Sequence, residues 1–265
     1  MQRILAAHYP TGQAKKGRRA YRAIVLLKMY LLQTWYNLSD YAVEKQVNDS
    51  LSCMRLCGLQ LEDDVPVHSV VCRFRKALTA AGAWEKLLET LNAQRKAQGS
   101  FVEQGSIVDA SVTPTARKPK GKASDLLEAG QTPPLNKAPQ AGVDQQARWV
   151  KKGGKLQYGY QRHYLADAQD GLVLAVHTTA AHPHDSQHLA TCLSKVSLPR
   201  KRRILADKGY SGQPNESLLR SKGYRSGIQR KASRGKPLSV WAQRYNKLIG
   251  SHCYKIERVF GSIKC

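Results

Sequence analysis

Acidic residues are scarce in this chain. Its 265 residues hold 19 Asp and Glu against 43 Lys and Arg, a formal net charge of +24. Such a surface field attracts polyanions, so nucleic acid is the expected partner and an acidic membrane surface the weaker alternative. Long apolar runs are also missing. The best one, Ala23 to Leu32, is interrupted by Lys28 and falls well short of the ~20 residues that a membrane span needs. An integral membrane protein is therefore not expected. The N-terminus turns polar at His8, too soon for a secretory signal. The six cysteines form no Cys-x-x-Cys pair, which excludes a disulfide framework and predicts reduced thiols in the cytoplasm. What remains is ordinary globular composition, 42% hydrophobic and 23% charged. Its length predicts one large domain or two small ones.

The first hundred residues read as helical. Residues 1 to about 20 are polar and basic, and a helix is expected from Ala20 to about Trp35. Ser39-Asp40 and Asp49-Ser50 are cap signals for two more, with Gly58 as a stop. Ser69 is a cap candidate for a helix carrying Val70, Val71, Phe74 and Leu78, and another helix is expected from about Ala83 to Ala97.

The pattern changes at Gly105. Ile107-Val108-Asp109-Ala110 reads as a short buried strand. Residues 113–156 hold five of the eleven prolines and nine Lys and Arg against three acids, and read as a mobile basic insert. Tyr158 to Leu165 and Leu172 to Val176 predict a hairpin around Asp170-Gly171. Asp185-Ser186 can cap a helix to about Val196. Strands follow near Arg203–Ala206 and Tyr224–Ile228, with a helix from about Gln213 to Ser221 between them. The chain ends in a helix from about Val240, with a break expected near Gly250. Three strands in a meander followed by alternating helices and strands predict an α/β (α+β mixed-sheet) domain over residues 101–265. That order matches the ribonuclease-H-like fold, here preceded by a helical domain over residues 1–100.

The most informative residues are the few acids retained in the basic half. From Arg200 onward there are 17 Lys and Arg but only Asp207, Glu216 and Glu257 as acids. An acid in a phosphate-facing segment repels DNA unless a cation intervenes. Asp109 and Asp207 are each expected to close a short apolar strand, while Glu257 shares a helix face with Phe260, Gly261 and Lys264. Glu216, just after Pro214, reads as a first-turn helix acid. Two aspartates and one glutamate are a suitable oxygen ligand set for Mg²⁺ or Mn²⁺. A pair of such ions can activate a water or a 3′-hydroxyl and stabilise the leaving oxygen. Lys208 and Lys264 would then sit beside the ligands and hold phosphate. A zinc site at His177, His182, His184, His188 and Cys192 is the rival metal reading, but Pro183 breaks the run and the spacing resembles no zinc module.

Together these segments resemble the DDE transposases of bacterial insertion sequences, within the insertion sequence five family. Tyr36-Asn37-Leu38-Ser39-Asp40, Asn48-Asp49-Ser50-Leu51-Ser52, Gly58-Leu59 and Arg73-Phe74-Arg75 are similar to its helical N-terminal domain. Ile107-Val108-Asp109-Ala110 resembles its first-acid strand, and Leu205-Ala206-Asp207-Lys208-Gly209-Tyr210 its second-acid motif. Lys151-Lys152-Gly153, Tyr158-Gly159-Tyr160, His163 and His184-Asp185-Ser186 resemble its central landmarks. Glu257-Arg258-Val259-Phe260-Gly261-Ser262-Ile263-Lys264 resembles the third-acid motif. The resemblance implies binding of double-stranded DNA at terminal inverted repeats, and metal-dependent cleavage and joining of 3′ ends to target DNA. It implies Asp109, Asp207 and Glu257 as catalytic and metal-binding residues with two divalent ions. Lys208, Lys264, Arg258, Lys151, Lys152, Arg73 and Arg75 are the expected DNA contacts. Homo-oligomers on DNA and a cytoplasmic, nucleoid-associated location follow from the same resemblance.

Two departures qualify it. The family carries Arg four residues before the glutamate, where this chain has Cys253; a thiol does not replace a bidentate phosphate contact. The stop at Cys265 predicts a shortened copy. The alternative expectation is therefore a catalytically inactive remnant that still binds DNA or other protomers. A repair nuclease of the same fold is a third reading, disfavoured by the helical N-terminal domain.

Overall fold

The computed structural model describes residues 2–9, 20–99, 105–119, 142–152, 154–181, 185–232, 235 and 237–264. They belong to two units, residues 1–100 and 101–264.

The first unit contains α1 (Gln2–His8), α2 (Ala23–Trp35), α3 (Asp40–Asp49), α4 (Leu51–Cys57), α5 (His68–Ala80) and α6 (Ala83–Ala97). Local chemistry sets several of the boundaries. The Ser39 hydroxyl accepts from Ala42 N at 3.1 Å and caps α3, and Ser50 does the same for Cys53 N at the start of α4. Gly58 ends α4 in the left-handed conformation, φ 78°, which a side chain would strain. Ser69 is not a cap. The α5 helix starts at His68, whose backbone N–H donates to Glu44 Oε2 at 2.6 Å, so a carboxylate from α3 satisfies the first turn. The polar N-terminal stretch also departs from expectation, since α1 forms there and buries Leu5 in the core with Leu26, Met29, Phe74 and Leu78.

The second unit is a six-stranded mixed sheet with helices on its faces. Its strands are β1 (Ser106–Pro114), β2 (Arg148–Lys152), β3 (Lys155–Asp167), β4 (Val173–Ala180), β5 (Arg203–Ala206) and β6 (Arg225–Ile228). The helices are α7 (Leu189–Ser194), α8 (Gln213–Ser221) and α9 (Val240–Lys264). β3 pairs antiparallel with β1, β2 and β4, while β5 pairs parallel with β1 and with β6. An antiparallel meander continued by parallel strands is the ribonuclease-H-like order.

Four expectations need correction here. β1 runs past Ala110 to Pro114, because β3 is long enough to pair with all of it, from Ser106↔Asp167 to Pro114↔Gly159. Asp109 therefore lies within a strand rather than closing one. The segment read as a mobile insert is structured at both ends. It starts in β1 and ends in the β2–β3 hairpin, held by Tyr158 Oη donating to the Asp144 carbonyl (2.6 Å) and Tyr160 Oη to the Asp144 carboxylate (2.8 Å); residues 120–141 lie outside the described residues. The helix expected from Asp185 is a 3₁₀ turn, Asp185–Gln187, followed by α7. Finally, α9 continues through Gly250, where a side chain would press on Gln229.

The sheet has two different faces. On one, Val108, Leu165, Ile204, Ala206 and Tyr210 pack with α7 and α8 through Leu189, Leu193 and Leu219. On the other, Ile107, Tyr164 and Leu205 pack against α9 through Ile249, Ile256 and Phe260. Side chains alternate along a strand, so Asp109 shares the α9 face with Ile107 and with its cross-strand partner Tyr164. At the chain entry to β1, Arg202 is buried and bonded to Asp167 (2.5 Å), Ser106 Oγ (2.8 Å) and the Gly105 carbonyl (2.7 Å). Among the described residues no helix is long and apolar enough to cross a membrane.

Candidate active site

The parallel pairing of β1 and β5 ends at Val108↔Ala206. The next residues on the two strands are Asp109 and Asp207, so the two carboxylates are neighbours by register. By alternation, Asp207 takes the side of Leu205, and both acids are on the α9 face. Both are half-buried. Asp207 also organises its own turn. It is the N-cap of the 3₁₀ turn Lys208–Tyr210, and its Oδ1 accepts from Gly209 N at 2.9 Å.

Glu257 comes from α9, next to Ile256 and one helical turn beyond Cys253, both of which pack on the sheet. It is exposed. The three carboxylates bear on one group. The Cys253 thiol is pushed up to about 11, first by burial and then by the negative charges of Asp109, Asp207 and Glu257. Asp109, Asp207 and Glu257 are thus the three acids whose charge reaches this one thiol. Among the described residues no three His, Cys, Asp or Glu side chains are already gathered as a metal cage.

The opposite face carries a histidine cluster. His163 is fully buried, with His188 at 4.5 Å and His177 at 6.1 Å between ring centroids. Its Nδ1 is 3.3 Å from Tyr210 Oη. Burial, then the neighbouring His188, His177 and Lys152, push His163 down to about 3, so the ring is neutral at physiological pH. The rings face one another in tilted and stacked arrangements. His182 and His184, also considered as zinc ligands, lie outside the described residues.

Comparisons with known proteins bear on both units. Residues 100–265 match the family described as "Transposase DDE domain", and residues 1–77 match "Transposase domain (DUF772)". The chain is 32% identical over 213 residues to "Transposase for insertion sequence element IS1106" from Neisseria meningitidis serogroup B, covering 80% of this chain and 71% of that protein. The chain belongs to the DDE transposases of insertion sequences. Among solved structures, a piggyBac transposase synaptic complex with hairpin DNA aligns at TM-score 0.40 and 9% identity, over 88% of this chain and 48% of that one. The Mos1 strand transfer complex aligns at TM-score 0.28 and 12% identity, over 95% and 81%. The family assignment of this transposase rests on sequence.

The remaining expected contacts fall out unevenly. Lys208 is exposed and directly follows Asp207. Lys151 is exposed on β2. Lys152 stands near the tip of the β2–β3 hairpin, yet its Nζ donates to the Ala110 carbonyl at 2.8 Å. The hairpin tip thus curls back to the residue following Asp109. Gly159 is needed for a different close approach, that of β3 to the end of β1, where a Cβ would collide with the Thr113 carbonyl. Arg73 is exposed on α5. Arg75 is not available as a phosphate ligand: its guanidinium grips both Asp40 oxygens (2.8 and 3.0 Å) and Gln33 (3.1 Å). The side chains of Arg258 and Lys264 lie outside the described residues.

Residues not singled out from sequence also line this face. Arg162 and Ser111 are cross-strand partners one alternation away from Asp109 and Tyr164. The signal was the odd-and-even alternation of β1 and β3. It becomes readable only once the pairing register is known.

Proposed function

We propose that this chain binds the terminal inverted repeats of its insertion element and cuts and transfers DNA strands at a centre formed by Asp109, Asp207 and Glu257. The observation that carries the reading is the register of β1 and β5. It sets two aspartates side by side at the point where the strands part, and α9 brings the glutamate to the same thiol. Carboxylates drawn to one centre repel one another unless a divalent cation neutralises them. The donor set is all oxygen and suits Mg²⁺ or Mn²⁺. Cys253 does not compete as a thiolate, because burial, and then the neighbouring carboxylates, keep it protonated. When bound, a pair of such ions would polarise the scissile phosphate and activate the attacking oxygen.

The protein's own residues then position DNA. Lys208, next to Asp207, is placed to hold a phosphate, and Lys151 and Lys152 extend that basic surface along the curled hairpin. Arg73, Arg258 and Lys264 are the further phosphate contacts proposed. The first unit would engage element ends and other protomers, so the active form is a homo-oligomer on double-stranded DNA, in the cytoplasm at the nucleoid.

The test is cleavage of a supercoiled plasmid carrying the element's inverted repeats, with Mg²⁺ or Mn²⁺. Wild-type protein nicks at the repeat ends, and Asp207→Asn lowers the rate by about a hundred- to thousandfold, the size seen when a preorganised transition-state stabiliser is removed. Cleavage that survives Asp207→Asn would refute the ligand assignment. Salt-sensitive end binding without cleavage by wild type would make the chain a DNA-binding remnant instead.

A further inference from the structure

On the α9 face a half-open pocket of about 780 Å³ lies beside the acidic centre, lined by Ser111, Thr113, Gln157, Arg162, Tyr164 and Phe260. We propose that it is a binding site for one nucleotide of a DNA strand, with the backbone phosphate on Arg162 and Ser111 and the nucleoside against Tyr164 and Phe260.

Four observations support the assignment. The Ser111 hydroxyl lines the pocket from a residue only 6% exposed, yet its Oγ has no hydrogen-bond partner among the described residues. A buried hydroxyl left unbonded is disfavoured, so its presence calls for a ligand that bonds it. Second, Arg162 is the direct cross-strand partner of Ser111, which brings a guanidinium to the same pocket. A guanidinium grips phosphate oxygens in a planar, bidentate fashion. Third, Tyr164 and Phe260 form an aromatic wall, their ring centroids 5.3 Å apart and tilted at 55°. Aromatic walls accept a sugar or base face without demanding a sequence. Fourth, the location is specific. Tyr164 is the partner of Asp109 and Arg162 that of Ser111, so the pocket begins one alternation from the first acid. A strand whose scissile phosphate reached Asp109 would lay an adjoining nucleotide here. The volume lies within the ~300–1,000 Å³ typical of small-ligand pockets.

The inference relies on the proposed catalytic centre for its place on the DNA path, but its test does not use catalysis. The full chain is titrated in EDTA with a fluorescent single-stranded thymidine tetranucleotide, with the same oligomer carrying one neutral methylphosphonate linkage, and with thymidine 5′-monophosphate. Wild type should bind the tetranucleotide at least about tenfold more tightly than the mononucleotide, because further phosphates engage the basic surface. Arg162→Ala should weaken tetranucleotide binding about tenfold, Arg162→Lys less, and Ser111→Val comparably to Arg162→Ala by filling the pocket. The methylphosphonate should weaken wild type by a similar factor but leave Arg162→Ala nearly unaffected, since the lost partner is the same. Arg162→Lys and Ser111→Val carry the same comparison, so a poorly folding Arg162→Ala does not decide it. Equal losses from the methylphosphonate in wild type and Arg162→Ala would overturn the proposal. So would no tetranucleotide binding, or a mononucleotide bound as tightly as the tetranucleotide. A retained Arg162 effect alongside plasmid cleavage indifferent to Asp207→Asn would refute the metal centre and leave the pocket standing.

Discussion

The two faces of one sheet carry different kinds of polar group. Toward α7 and α8, the polar group His163 is sealed completely, kept neutral, and tied to Tyr210. Toward α9, Asp109 and Asp207 remain half-open and like-charged, with the buried Ser111 hydroxyl on the same face unbonded among the described residues. The sealed face is arranged for stability. The open face holds unfavourable charge and an unsatisfied hydroxyl, which a fold tolerates where ligands later supply the missing partners. Adjacent residues of a single strand, Val108 and Asp109, face the two environments.

The sharpest break of that contrast comes from paired substitutions in neighbouring strands. Leu165→Ala, on the sealed face where Leu165 is fully buried, should lower unfolding free energy by about 2–5 kcal/mol. Asp109→Asn should do the reverse: cleavage falls about a hundredfold or more, while the melting temperature changes little because Asn keeps the side chain's shape and its acceptor for the Ala110 N–H. Urea unfolding and the plasmid assay read the two arms. An Asp109→Asn protein that melts well below wild type would mean the acid is structural.

Acid should find the sealed face through His163. Its folded pKa is pushed down to about 3, against about 6.5 in an unfolded chain. Between those values the unfolded state binds the extra proton. Stability is therefore full above about pH 6.5 and falls by about 1.4 kcal/mol per pH unit as pH drops through that window. His163→Gln should flatten this slope in urea unfolding between about pH 6 and pH 5. An unchanged slope would show that the acid sensitivity lies elsewhere.

What could be read beforehand follows the range of the interactions. Ser39, Ser50 and Gly58 were legible as helix boundaries because caps act within one turn. Asp207 was legible as a strand-end acid because β5 is short and apolar. Asp109 stood out as an acid on an apolar strand but was wrongly placed at a strand end, since the extent of β1 is set by β3, some fifty residues away in sequence. Arg75 looked like a free cation until Asp40 took it. Arg162 and Ser111 carried no signal of their own; only cross-strand register brings them together. His163 stood in a recognised motif, but its neutrality comes from burial among His177 and His188, which the chain order does not show.

The smallest expected effect tests the geometry of the open face most directly. Cys253 has its thiol held up to about 11 by burial and by three carboxylates, and only the thiolate is nucleophilic. Alkylation by iodoacetamide at about pH 8, followed on the Cys253 peptide by mass spectrometry, should be slower than for an ordinary thiol near pKa 8.5. Burial alone predicts slow reaction too, so the rate in wild type does not separate the causes. Removing charge does. Asp207→Asn takes away one of the named anions and leaves the packing of α9 on Ile107 and Leu205 in place, so the thiol pKa should fall and alkylation should speed up by about two- to threefold. Glu216→Gln, an acid on α8 that is absent from the groups acting on Cys253, should leave the rate unchanged. If both substitutions behave alike, the three carboxylates do not share the space around this thiol, and the two faces of the sheet differ less than their residues imply.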